Sequence, residues 1–259
     1  MFDPKSVKLG RKPAIVSDKT LMFAKYLKTG ELPPIPKDHS YSWFFKNWGM
    51  MLNDKIGDCT CAAAGHQIVN WTNMNGELFI PSDADILVAY RAVSGYDPVT
   101  GANDNGAACL DVLNYLQKVG IAGRKIGPFM ALNVKNLVQM KIAIYLFGSI
   151  YLGINMPLTA QNQTEMWDVV DPSLTGDSTP ASWGGHCVIL TAYGQDVTFA
   201  ITWGEKMKMT NRFWDAYVEE AYVILDPEWF ASNGNRKTNP IVAPSGFDMA
   251  QLQADLALL

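Results

Sequence analysis

The chain has 259 residues, 48% of them hydrophobic and 18% charged, a balance that excludes disorder and supplies enough apolar surface for a large core without disulfide staples. Twenty-one Lys and Arg against 25 Asp and Glu leave a net charge of −4, which argues against a nucleic-acid partner. The longest apolar run, Ile142 to Ile154, is 13 residues and too short to span a bilayer, and the segment MFDPKSVKLGRKPA has no apolar stretch of a secretory signal.

Residues 1–45 read as an extended arm. Pro4, Pro13 and the run LPPIP (Leu32 to Pro36) interrupt long periodicity. One short amphipathic helix is expected around Lys19 to Thr29, and the arm is expected to lie as a strap over the domain surface. From Asp58 the pattern turns helical: CTCAAAGHQIVNWTNM is Ala-rich and stops at Asn75-Gly76. Ser82 with Asp85 three residues on resembles a capping box, opening a helix that carries Ile86, Leu87, Tyr90 and Val93 and ends at Gly95. A third helix follows Asp104-Asn105-Gly106 and closes at Gly120, and a fourth runs from near Asn133 to about Leu146.

The periodicity then changes. Ser149 to Pro157, His186 to Gly194 and Val197 to Gly204 read as strands, the last two joined through Gly194-Gln195-Asp196. A short helix at Asn211 to Glu220 and a strand at Tyr222 to Leu225 follow. The tail from 227 to 259 is loop-like until a final helix, Phe247 to Leu256. Helices first and strands later indicate an α+β protein. No linker separates the halves, so residues 46–226 are expected to form one domain with a cleft, a helical lobe over about 46–147 and a sheet lobe over about 148–226.

Four cysteines, Cys59, Cys61, Cys109 and Cys187, are too few for a disulfide scaffold and point to free thiols in a reducing compartment. Gly57-Asp58 delivers Cys59 to the first turn of a helix, where unpaired N–H groups and the positive dipole end favour a thiolate. A reacting thiol needs a base within hydrogen-bond reach, and there are three histidines, His39, His66 and His186. His66 is seven residues along the same helix and so ~10.5 Å away, too far to take the proton. His39 lies in the proline-rich arm. His186, at a strand start behind Gly184-Gly185, is left by elimination and by setting. A metal site of Cys59, Cys61 and His66 is disfavoured, because side chains two apart on a helix project ~200° from each other. Cys61, Cys109 and Cys187 are read as core, and no cofactor-binding loop is present.

The order of GDCTCAAAG, NGAACLDVLNYLQKVGI, YLGINMP, WGGHCVILTAYG and AITWG resembles the papain-like cysteine peptidases, over Asn53 to Gly204. The whole chain is also similar to a group of proteins from bacteria and tailed phages. The resemblance implies a two-lobed fold, a helical N-terminal lobe packed on an antiparallel, barrel-like sheet lobe. It implies Cys59 as nucleophile, His186 as its ion-pair partner and proton donor, and Asn53 as an amide reaching the oxyanion hole with the Cys59 backbone N–H. The Asn or Asp that orients the histidine in such enzymes is replaced by Ile201-Thr202, so Thr202 can serve only if its hydroxyl faces the cleft. Asn105, Gly106, Trp183, Gly184 and Gly185 would border the substrate.

Three functions follow as expectations. One is a thiol hydrolase or acyl-transfer enzyme acting on a peptide or protein. The second is a catalytically degenerate relative serving as a structural or interaction protein, for instance a phage virion subunit contacting other subunits. A binding module using the cleft without chemistry is the third. None involves nucleic acid, a membrane or a cofactor, and the expected location is the cytoplasm or a virion.

Overall fold

Small residues explain the central helix. In CTCAAAGHQIVNWTNM three alanines and a glycine let neighbours approach from every side, and Cys59–Met74 (α1) is buried from Cys59 to Thr72. A Cβ on Gly65 would lie 2.7 Å from the Ile86 side chain, so glycine is what brings α1 against the next helix. That helix, Asp83–Ser94 (α2), has the expected capping box between Ser82 and Asp85 and ends at a left-handed Gly95. Cys109–Lys118 (α3) turns Leu110, Val112, Leu113 and Leu116 inward, and Leu137–Phe147 (α4) is capped by the Asn136 side chain. The computed structural model describes residues 4–42, 44–226 and 244–258.

The strands are His39–Ser40 (β1), Phe129–Ala131 (β2), Ile150–Met156 (β3), Met166–Trp167 (β4), Gly184–Tyr193 (β5), Val197–Thr202 (β6), Glu205–Thr210 (β7) and Val218–Ile224 (β8). They form one sheet in the order β2-β8-β3-β5-β6-β7-β4, with β1 paired to β5. All pairings are antiparallel except β4 with β7. The sheet is mixed α+β architecture as expected, but it is open and does not close into a barrel. Helix α1 packs against β5, the strand with the most covered position, so the two lobes share one apolar core.

Asn211–Tyr217 (α5) links β7 to β8, and Met249–Leu256 (α6) packs on the arm near Phe23–Tyr26. The arm differs from expectation twice. Lys19 to Thr29 forms short 3-10 turns at Phe23–Tyr26 and Thr29–Glu31 in place of one helix. His39 is not in an unstructured stretch: it pairs with Tyr193 in β1 and packs edge-on against Tyr41 and Tyr145. The loop expected after Pro227 lies outside the described residues. No helix among the described residues is long and apolar enough to cross a membrane.

Candidate active site

Cys59 is the first residue of α1 and wholly buried. Burial pushes its thiol well above the ordinary range, and the nearby Cys187 and Asp58 add to that shift. The backbone N–H groups of Cys187 and Gly10 oppose it. The helix start therefore does not yield a thiolate in this state, because desolvation outweighs the dipole. Asp58, the N-cap, is itself buried, and burial raises its carboxyl well above the usual carboxylate range, opposed only in part by its own backbone N–H and the Asn53 side chain.

His186 enters the same region from β5, opposite Ile154 of β3. Its Nε2 lies 2.7 Å from the Thr202 hydroxyl at the end of β6, so Thr202 does face the histidine. Its Nδ1 is buried and has no hydrogen-bond partner among the described residues. Burial, then the Arg11 charge, then His66, bring the imidazole down to about 3, so it is neutral near pH 7. The hydroxyl is the ring's polar contact; its apolar contact is Trp203, stacked at 4.3 Å and 14°. Trp203 and Gly204 both have positive φ, 46° and 74°, and form the two-residue turn between β6 and β7. Both central residues of a tight hairpin of this hand need positive φ. A bulky residue there is strained, and here the strained backbone holds the indole over the imidazole.

The arm leaves the outer surface over residues 8–12. Residues 8–12 run extended between the lobes, hydrogen-bonded to both. From the helical side, the Ala107 N–H donates to the Gly10 carbonyl at 2.9 Å, and the Lys12 N–H donates to the Ala107 carbonyl at 3.0 Å. From the sheet side, the Gly185 carbonyl accepts from Gly10 and Arg11 at 3.1 and 2.9 Å. Farther along, the Lys8 carbonyl accepts from the Asn53 amide and the Trp203 indole, each at 3.3 Å. Glycines make the passage. A Cβ on Gly106 would lie 1.7 Å from the Gly10 oxygen, and one on Gly185 2.1 Å from the Arg11 oxygen. Gly10 itself has no room for a side chain against Gly57.

The residues singled out in the sequence thus gather around one strand of arm. Gly106, Gly185 and Asn53 touch its main chain, and Gly184 abuts Leu9. Trp183 packs on Trp203 with ring centroids 5.9 Å apart. Asn105 stands exposed beside Gly106. Cys61, Cys109 and Cys187 are buried, and the Cys109 and Cys187 sulfurs are 3.7 Å apart as free thiols. His66 is held by the Gly49 carbonyl at 2.9 Å. No group of three or more metal-ligating side chains gathers among the described residues.

Sequence reasoning missed the arm's path and the pocket for Arg11. The guanidinium is bound by Glu219 at 2.7 Å, Glu220 at 2.8 Å and the Asn155 amide oxygen at 2.5 Å. One signal was present: a glutamate in a buried strand needs a partner, and Glu220 stands in β8 among buried residues.

No family model and no curated protein matches the sequence. Solved structures do match. Xylellain, a cysteine protease from Xylella fastidiosa, superposes with a TM-score of 0.67 at 13% identity, over 85% of this chain and 97% of its own. The Carica candamarcensis cysteine protease CMS1MS2 gives 0.54 at 14% identity, over 74% of this chain and 99% of its own. Procathepsin B S9 from Trypanosoma congolense gives 0.60 at 10% identity, over 86% and 87%. Identities this low speak for architecture alone, and the architecture agrees across all three: the chain has the papain-like cysteine protease fold.

Proposed function

We propose that this chain is a cysteine peptidase, acting on peptides or proteins, whose own amino-terminal arm occupies the cleft. The observation that carries this reading is the arm itself. Residues 8–12 lie as an extended peptide between the lobes, with main-chain hydrogen bonds to Ala107 and Gly185 and with Gly10 packed against Gly57, two residues before Cys59. A cleft that holds one extended main chain through backbone donors and acceptors is suited to another.

In this reading each residue has one role. With its Nε2–H donated to Thr202, the neutral imidazole keeps a lone pair on Nδ1 for the thiol proton. The thiolate then attacks the scissile carbonyl, and the imidazolium returns the proton to the leaving amine. Water hydrolyses the acyl-enzyme in the second half-reaction. Asn53 already donates to a peptide carbonyl, that of Lys8, which is the contact an oxyanion donor must make. Trp203 shields the His186–Thr202 contact from water and fixes the ring plane. Departure of the arm rehydrates Cys59 and removes the Arg11 charge from His186, two changes that favour the thiolate–imidazolium pair.

A peptide-based, thiol-directed acyl trap tests this. Labelling of Cys59 is expected to be slow in the resting chain, to rise when the arm is displaced and to vanish in Cys59→Ala. Equal labelling of the wild type and Cys59→Ala counts against the peptidase.

A second reading is a catalytically degenerate protein working as a structural or interaction subunit, for example in a phage particle. What favours it is the fully buried sulfur beneath a hydrogen-bonded arm, the arrangement of a permanently closed site. Absence of labelling after the arm has demonstrably left the cleft would select it.

A further inference from the structure

Two thiols that take no part in peptide cleavage stand across the cleft from one another. Cys109 is the first residue of α3, two positions after Ala107, whose main chain holds the arm from the helical side. Cys187 lies in β5, two positions after Gly185, which holds the arm from the sheet side. The two sulfurs are 3.7 Å apart, and both are free thiols. A disulfide bond is about 2.05 Å long, so the pair is about 1.7 Å from bonding, a movement on the scale of a cysteine side-chain rotation. The residues are 78 positions apart in the chain, and each belongs to a different lobe.

The Arg11 side chain covers this pair. Cys187 is directly opposite Gly153 of β3, and residues opposed across an antiparallel pair project to the same face of the sheet. That face carries Arg11, since a Cβ on Gly153 would lie 2.6 Å from the Arg11 Cδ. Burial pushes the Cys109 thiol well above its ordinary range, the adjoining Cys187 and Glu220 add to the shift, and the Arg11 charge opposes it only in part. With the arm in place the pair is therefore dry and protonated, and a protonated thiol is a poor nucleophile. Departure of Arg11 admits water and removes the largest of these causes. Cys187 is then the first sulfur within reach, being 3% exposed where Cys109 is wholly buried.

We propose that Cys109 and Cys187 are a redox modification site, a dithiol that a hydroperoxide oxidises to a disulfide once Arg11 has left its seat. With hydrogen peroxide, the Cys187 thiolate attacks one oxygen and the O–O bond breaks, leaving a sulfenic acid and a hydroxide that takes up the thiol proton as water. The Cys109 sulfur then attacks the Cys187 sulfur, the S–S bond forms, and the departing hydroxide takes the Cys109 proton as a second water. The two thiols give up two electrons and two protons, and the peroxide is reduced to two waters. The product ties the start of α3 to β5, the strand that carries His186, and so fixes the width of the cleft until a thiol reductant reverses it. This asks nothing of Cys59 and stands whether or not the chain cleaves peptides.

The test uses the full chain as Cys59→Ala, so that Cys59 does not consume the oxidant and Cys61, Cys109 and Cys187 remain. The arm is moved in two independent ways: Arg11→Ala removes the cover, and Gly10→Val forces a side chain where the Gly57 backbone leaves no room. Circular dichroism identifies which of them folds, and either one serves for the comparison. After treatment with hydrogen peroxide, free thiols are alkylated and peptides are read by mass spectrometry. The chain is expected to lose two hydrogens, to yield one linked pair of peptides containing Cys109 and Cys187, and to leave Cys61 alkylated; dithiothreitol should restore both thiols. Oxidation should run at least about tenfold faster when the arm is displaced, as expected when local opening costs about 1.4 kcal/mol less. Closing so long a loop should also raise the midpoint of thermal unfolding by about 5 °C or more, and reduction should return it. Thiols at Cys109 and Cys187 that stay alkylatable with the arm displaced, or that oxidise separately to sulfinic acids, overturn the proposal. So does a link made through Cys61, or a rate the same with the arm in place and displaced.

Discussion

His186 is held by the Thr202 hydroxyl and packed by the indoles of Trp203 and Trp167, and the hydroxyl can be tested without touching Cys59. Thr202→Val keeps the shape of the side chain and removes the hydrogen-bond partner of Nε2. A buried polar atom left unpaired costs about 1–3 kcal/mol, so urea denaturation is expected to show the variant less stable by that amount. Nitrogen NMR of the imidazole gives the sharper readout: the Nε2–H tautomer is expected in the wild type, and a mixture of tautomers in Thr202→Val. An unchanged tautomer would remove Thr202 from the role of positioning residue. At this scale the sequence was informative where chemistry is local. A cysteine at a helix start and a histidine after two glycines stand out as candidates from their immediate neighbours. The hydroxyl at Thr202 did not, because Ile201 and Thr202 alternate across β6 and only the three-dimensional strand shows which one faces the imidazole.

Among the elements, the arm is the one that periodicity could not place. The helices α1 to α3 and the strands β3, β5 and β6 were legible, since their apolar patterns, caps and turn residues act over a few positions. Residues 8–12 have no such pattern; their partners Asn53, Ala107 and Gly185 are 45 to 175 positions away, and main-chain hydrogen bonds leave little trace in side-chain identity. The glycines are the trace that remains. Gly106 needs a positive φ of 71° and also has the Gly10 oxygen where its Cβ would be. Gly106→Ala is therefore expected to lift the arm while α1 and the sheet stay folded. Limited trypsin digestion should cut the variant's arm after Lys8 or Arg11 at least about tenfold faster than the wild type, as expected when local opening costs about 1.4 kcal/mol less. Slow exchange of the Gly10, Arg11 and Lys12 amides in the wild type should be lost in parallel. Unaltered cleavage in Gly106→Ala would mean that the arm is held chiefly by Arg11 and its two carboxylates.

Across the whole molecule, burial of ionisable groups beneath the arm ties stability to pH. His66 is lowered to about 4, by burial against only a partial return from the Gly49 carbonyl, and His186 to about 3 by burial, Arg11 and His66. Their unfolded values are near 6.5. Between those limits the unfolded chain binds protons that the folded chain does not, so stability is full above about 6.5 and is lost as pH falls. Each group contributes up to about 1.4 kcal/mol per pH unit, enough for the two together to consume a typical stability of about 5–15 kcal/mol within a few units. Glu219 acts in the same direction: burial raises it, but the Arg11 hydrogen bond and charge prevail and hold it low. Asp58 has the opposite sign, because burial raises its carboxyl and the folded chain then retains a proton that the unfolded chain has released. Urea denaturation between pH 7.5 and pH 4.5 should show stability falling towards acid, and Asp58→Asn should steepen that fall by removing the opposing group. Arg11→Ala should flatten it on the most acidic side, since the Arg11 charge helps to depress His186. A stability independent of pH in this range would mean that His186 is solvated, and with it that the arm does not seal the cleft in solution.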